Sequence, residues 1–297
     1  MQDKPQKTVL IVGCGYIGQR VAAWLPASRF EVTGIVRSDE SRERLAATGV
    51  RAVCLDLDRL EAGTDWGCQS ADVFYFAPPP PVGSRDLRMR AFLDALGGAM
   101  SVRRIVYIST SAVYGDCGGA WISETQPLNP ATPRGHRRQD AEQQLLAWCE
   151  VQATQWTILR VPGIYGPGKL PLERLRNGTA VLREEDSPYT NRIHADDLAN
   201  ICVAAMHGSI TNTAYNVSDG HPSNMTDYFF RVADAAGLPR PPVVSREEAA
   251  AVLSPGMLSF LQDSRRMDNR KLLRDLGIVL QYPNLAAGLA ACFQEDI

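Results

Sequence analysis

Thr8-Val9-Leu10-Ile11-Val12, followed at once by Gly13-Cys14-Gly15-Tyr16-Ile17-Gly18, is the stretch on which the fold turns. The first five residues carry no charge and are β-branched or aliphatic, the composition of a strand buried on both faces. The glycines keep the spacing G-x-G-x-x-G, and Gln19–Leu25 reads as a helix stopped by Pro26. Strand, glycine turn and helix in that order open a β-α-β unit. Gly13 permits the tight turn, Gly15 lets backbone approach a pyrophosphate, and Gly18 lets helix pack closely on strand. Tyr16 and Ile17 lie within that turn, and the N–H groups and positive dipole end of the helix behind it attract phosphates. The expected ligand is a dinucleotide.

The same alternation continues outward from this unit. Glu31–Val36, Ala52–Leu55, Asp72–Phe76, Arg104–Ile108 and Thr157–Val161 read as further strands. Arg85–Met100 and Gln139–Glu150 read as helices between them. Strands alternating with helices at this pitch predict an α/β fold, a Rossmann-type doubly wound parallel sheet. Beyond Tyr215 the pattern turns irregular, with Pro239, Pro241 and Pro242 among short helices. Residues 1–164 with 187–212 are therefore read as the dinucleotide-binding domain. Residues 165–186 with 213–297 are read as a smaller C-terminal α/β lobe on the substrate side.

In NAD-binding proteins a carboxylate about twenty residues past the glycine turn grips the adenosine ribose. Here Arg37 stands 19 residues after Gly18, followed by Ser38 and then Arg42. A guanidinium and a hydroxyl would pair with a 2′-phosphate that an acid would repel. NADP is expected in preference to NAD. Asp56, at the end of the third strand, either meets the adenine amine or caps a helix.

Composition narrows the remaining classes. The chain has 297 residues, 45% of them hydrophobic, and a formal net charge of −2, which gives no reason to expect nucleic acid or an anionic membrane as partner. No run approaches the roughly 18–20 apolar residues of a membrane span, and Val9–Val12 is too short for a signal-peptide core. The expected compartment is the cytoplasm. Seven cysteines lack C-x-x-C spacing and four histidines are scattered, so reduced thiols and no metal site are expected.

Set in order, GCGYIG at 13–18, Asp56-Leu57, the run from Val106 to Gly115, Pro133 to Glu142, Arg160 to Gly168 and Arg192 to Ala199 resemble the extended short-chain dehydrogenase/reductase superfamily, the NAD-dependent epimerase/dehydratase group. The resemblance implies dimerisation through two helices, here Arg85–Met100 and Gln139–Glu150. It implies that Ala77 and Pro78 pass the cofactor ribose, that Ser109, Thr110 and Ser111 end a strand beside the nicotinamide, and that Thr110 orients a substrate hydroxyl or carbonyl. It also implies a Tyr-x-x-x-Lys pair as general acid/base, the lysine lowering a phenol that otherwise titrates near ~10.

Those two positions here hold Arg134 and Arg138. Arginine stays protonated in proteins and cannot act as the base. On one helix face the two would instead clamp a phosphate or carboxylate of the substrate. The chain thus resembles an atypical member of the superfamily lacking the catalytic pair. A literal Tyr165-Gly166-Pro167-Gly168-Lys169 is broken by Gly-Pro-Gly and cannot be one helical turn, yet its loop follows a strand end. Tyr165 and Tyr114 are the candidates for a relocated acid. Two readings stay open: a dinucleotide-dependent enzyme acting on a small molecule, anionic where the arginine pair clamps it, or a dinucleotide-occupied sensor or scaffold.

Overall fold

The computed structural model describes residues 6–294 apart from 62 and 98. Seven strands form one parallel sheet: β1 (Lys7–Val12), β2 (Phe30–Val36), β3 (Arg51–Cys54), β4 (Ser70–Tyr75), β5 (Ser101–Thr110), β6 (Gln155–Val161) and β7 (Thr213–Asn216). Their order across the sheet is β7-β6-β5-β4-β1-β2-β3. The winding reverses beside β1, between β2 and β4, and there the crevice at the strands' carboxyl ends opens.

Alternation along each strand builds two cores. Val9 and Ile11 of β1, Phe74, Val106, Ile108 and Leu159 point to one face. Helices α1 (Tyr16–Ala23), α2 (Asp39–Ala46) and, later in the chain, 195–207 cover that face. Leu10 and Val12, Val73, Tyr75, Ile105, Tyr107 and Ile158 point to the other, under α3 (Leu87–Leu96) and α4 (Pro133–Gln152). Each such aliphatic side chain contributes roughly 1.5–3 kcal/mol on burial. The absence of polar residues from Val9 to Val12 of β1 is therefore a consequence of having a helical layer on both sides.

The helices depart from expectation mainly at their ends. The helix expected over Arg85–Met100 begins only at Leu87, where Asp86 accepts from the N–H groups of Arg88 and Met89, and it stops before Gly97. The one expected over Gln139–Glu150 begins earlier, at Pro133. Thr132 caps it by accepting from Gly135 N–H, and Ala153 ends it with a left-handed φ of 52°. Arg134 and Arg138 therefore both stand on α4. Strand β7, placed in the outer lobe by the sequence reading, pairs with β6 and closes the sheet's edge.

Outside the sheet, four two-stranded pairs join distant segments: Trp121–Ile122 with Arg266–Met267, Gly163–Tyr165 with Arg192–His194, Val181–Leu182 with Val243–Val244, and Tyr189–Thr190 with Ser223–Asn224. They frame a separate apolar cluster around Tyr165, Leu175, Tyr228, Phe229 and Leu289. No described helix is long and apolar enough to cross a membrane.

Candidate functional site

Two cavities open near the carboxyl edge of the sheet, and Pro78 lines both. The first, about 270 Å³, is walled by Gly13, Ile35, Val36, Arg37, Leu55, Asp56, Leu57, Ala77, Pro78 and Arg88. Its floor is the glycine turn. Gly13 has φ +84°, and a Cβ there would lie 2.6 Å from Ala77 N. A side chain would meet both strain and clash. At Gly15 a Cβ would meet nothing within 4 Å, so the open space lies on the side from which a pyrophosphate would come. A Cβ at Gly18 would press on Ile11 at 3.0 Å, the close approach of α1 to β1. Helix α1 starts at Tyr16 with Gly15 as its cap residue and no capping side chain. Ile17 is turned into the core, so only its backbone can serve a ligand.

The ribose end is more divided. Arg37 is exposed and lines the cavity. Ser38 caps α2, accepting from Ser41 N–H, and Arg42 pairs with Asp39 at 3.1 Å. Asp56 lines the cavity and also caps the turn Leu57–Arg59, accepting from Asp58 N–H at 3.1 Å. It therefore caps the turn while facing the cavity. Sequence reasoning missed Arg88. It is buried, forks onto both oxygens of Asp58 at 2.7 and 2.6 Å, and donates to the Pro78 and Pro79 carbonyls. That hydrogen-bonded guanidinium holds the Asp58 carboxyl below its usual range.

The second cavity, about 460 Å³, is cationic. Thr110, Ser111, Arg134 and Arg138, all expected at the substrate, line it together. Three further arginines, Arg137, Arg192 and Arg265, line it as well, against one acid, Asp263. Asp263 and Arg265 pair at 3.1 Å. Arg137 donates to Gly83 O, and Arg138 to the Tyr107 hydroxyl and Ile108 O, both at 3.1 Å. Arg134 lies 3.9 Å over the Phe260 ring. The Nε atoms of Arg137, Arg192 and Arg265 are buried and have no hydrogen-bond partner among the described residues. Three arginines in the first two turns of α4 also oppose its dipole, since that end carries positive partial charge and its first turn has no acid. Such an arrangement favours an anion.

The tyrosines proposed for proton transfer are elsewhere. Tyr165 is 0% exposed. Its phenol donates to Asn284 O at 3.4 Å, under Gly288, and its ring meets His194 edge-on. Burial drives its pKa far up. Tyr114 is 1% exposed, donates to Asn216 Oδ1 at 2.7 Å and accepts from Arg160. Burial pushes it up to about 12. Both lie in packed interiors, and neither can meet a molecule in the cavity as it stands. Ser109 also departs from expectation. It lies on the α4 side of β5 and donates to Glu142 at 2.5 Å, within a buried network that Arg160 completes at 2.9 Å. Thr110 accepts from Ala112 N–H at 3.3 Å and keeps its own hydroxyl proton for the cavity.

Among the hydroxyl and carboxyl groups in the cavity wall are Thr110, Ser111, Tyr189 and Asp263. Tyr189, Asp263 and Arg265 come from segments outside the motifs, and no local spacing marked them; Arg192 opens the stretch Arg192 to Ala199 but was given no role there. Asp196 pairs with Arg20 at 2.8 Å, and Asp197 accepts from Gln281 and Tyr282 N–H. Among the described residues no group of three or more His, Cys, Asp or Glu side chains could hold a metal. No disulfide joins any of the seven cysteines among the described residues.

Comparison with known proteins agrees with this geometry. Residues 86–218 match the NAD dependent epimerase/dehydratase family, and residues 9–81 match a TrkA-N domain. Protein YeeZ of Escherichia coli K12 is 26% identical, over 94% of this chain and 97% of its own. A conserved protein of unknown function from Silicibacter pomeroyi is 30% identical, with a TM-score of 0.84 over 98% of this chain and all of its own. UDP-glucuronic acid 4-epimerase from Bacillus cereus, solved with UDP-glucuronic acid and NAD, superposes with a TM-score of 0.76 at 18% identity, covering 97% and 98% of the two chains. With the glycine turn at the sheet's switch point, the chain carries a domain of the NAD dependent epimerase/dehydratase family over residues 86–218.

Proposed function

We propose that the protein is a dinucleotide-dependent oxidoreductase or epimerase/dehydratase-type enzyme that acts on an anionic small molecule. The carrying observation is the adjacency of the two cavities. The glycine turn, Asp56, Leu57 and Ala77 would hold the dinucleotide, and Pro78 marks where it would pass into the arginine-lined space. Thr110 and Ser111 would meet the substrate's reacting oxygen there, with Arg134 and Arg138 clamping its anionic group. An arginine pair cannot relay a proton but can stabilise negative charge developing on that oxygen. In this reading residues 1–164 with 187–216 bind the dinucleotide and the remainder shapes the substrate side. The protein would work in the cytoplasm as a homodimer joined through α3 and α4, where exposed Leu87 lies beside Trp148.

NADP is the favoured cofactor, because Arg37 occupies the ribose end and is exposed to pair with a 2′-phosphate. Calorimetric titration should give tighter binding of NADPH than of NADH, and Arg37→Asp should reverse the order. Equal binding in both proteins would remove the role of Arg37. The burial of both Tyr114 and Tyr165 favours a second reading, a dinucleotide-occupied sensor without turnover. A screen of phosphorylated and carboxylated carbonyl compounds, followed by NADPH absorbance, separates the two. Turnover lost in Thr110→Ala supports the enzyme, and turnover indifferent to Thr110 contradicts the assigned site.

A further inference from the structure

Beside the arginine cavity lies a third, about 260 Å³. Gly163, Arg192, Met225 and Phe260 line both, so the two share a wall. Their chemistry is opposite. The third cavity is faced by apolar side chains, among them Val181, Leu182, Phe229, Leu253, Met257 and Leu261. Its three cations are applied to aromatic rings, Lys169 at 5.2 Å from the centre of Tyr16, Arg174 at 4.6 Å from that of Phe229 and Arg192 at 4.1 Å from that of Tyr228. Among the described residues no carboxylate or carboxamide side chain lines it, and apolar side chains outnumber its polar ones.

The shared wall is thin in two places. Gly163 contributes no side chain, and a Cβ there would strike Arg192 Nη1 at 2.5 Å. Phe260 is 51% exposed and sits at the end of the short helix Pro255–Phe260, its ring under Arg134. That half-exposed ring separates the cationic side from the apolar side.

We propose that the substrate is an amphipathic anion. Its phosphate or carboxylate group lies on Arg134, Arg137 and Arg138, and a hydrocarbon portion, in place of a nucleoside, lies beyond Phe260 against Met257 and Leu261. This rests on the anionic-substrate reading above and names its class. Isothermal titration with inorganic, ethyl, butyl and hexyl phosphate, all below micelle formation, tests it, with UDP as the competing ligand and NADPH titrated separately.

Each buried methylene is worth about 0.8 kcal/mol, or about fourfold in affinity. Allowing for incomplete burial, hexyl phosphate should bind at least about tenfold tighter than ethyl phosphate. Met257→Asp should flatten that gain while inorganic phosphate and NADPH bind as before, the latter showing an intact fold. A flat series in the parent protein, or UDP binding tighter than hexyl phosphate, overturns the amphipathic substrate alone. No binding of any phosphate overturns the anionic reading with it. NADPH binding reports on the dinucleotide site independently of both.

Discussion

Helix α4 carries two groups of charges whose circumstances are opposite. Toward its middle, Glu142 is buried and fully engaged: Arg160 grips it at 2.9 and 3.3 Å and Ser109 donates to it. At its start, Arg134, Arg137 and Arg138 face a cavity that supplies one carboxylate for five guanidiniums. The first group closes its charge internally and fixes β5, β6 and α4 together. The second leaves positive charge uncompensated where the helix dipole already disfavours it. A residue type therefore says little about its role; the presence or absence of a buried counter-charge says much more.

The comparison is tested most heavily at Arg160. Arg160→Ala strands the buried Glu142 carboxylate, and removing one partner of such a pair costs about 3–5 kcal/mol. Urea denaturation should show that loss. A change below about 1 kcal/mol would mean the pair is not structural.

A buried acid outside the wall of the cationic cavity extends the comparison. Asp219 is buried with Oδ2 unpartnered among the described residues, and burial lifts its carboxyl to about 6. The folded protein then keeps a proton that the unfolded chain releases near ~4, so stability falls as pH rises from about 4 to 6 and stays lower above. Asp219→Asn should be more stable than the parent by on the order of 2 kcal/mol at pH 8 and equal to it below about pH 4. A gap that persists unchanged on acidification would exclude the buried charge as its source.

Arg134→Ala should behave unlike Arg160→Ala. Its contact with Phe260 is worth about 0.5–1 kcal/mol, and its removal relieves the helix dipole, so stability should change by less than about 1 kcal/mol. Stabilisation by added phosphate, read as a rise in Tm, should instead be much reduced. Retention of that rise would place the anion elsewhere. Smallest of all, Tyr165→Phe removes one hydrogen bond of 3.4 Å. It should alter stability by at most about 1 kcal/mol and leave any turnover intact; lost turnover would return Tyr165 to the chemistry.

The dinucleotide side was legible because its determinants are contiguous. A strand, three glycines and a helix specify a turn without help from distant residues, and the parallel sheet follows from strands alternating with helices. Arg134 and Arg138 were legible through the motif that frames them, from Pro133 to Glu142. What failed was direction. Tyr114, Tyr165 and Ser109 stand at strand ends near the crevice, but a position along the chain does not say which way a side chain turns. For Ser109 the signal was present: period two along β5 puts Ile105, Tyr107 and Ser109 on the α4 face, while Val106 and Ile108 face the other layer. The rest of the cationic cavity was not legible. Tyr189, Arg192, Met225, Phe260, Asp263 and Arg265 come together only through short strand pairs between segments far apart in sequence.

The most direct test of the account is a crystal structure of the protein grown with NADPH. The expected result places the diphosphate against Gly15 and the start of α1, the 2′-phosphate at Arg37, and the nicotinamide past Pro78 beside Thr110, facing Arg134 and Arg138. A cofactor bound away from the glycine turn, or a nicotinamide ring with no access to the arginine-lined cavity, would contradict it.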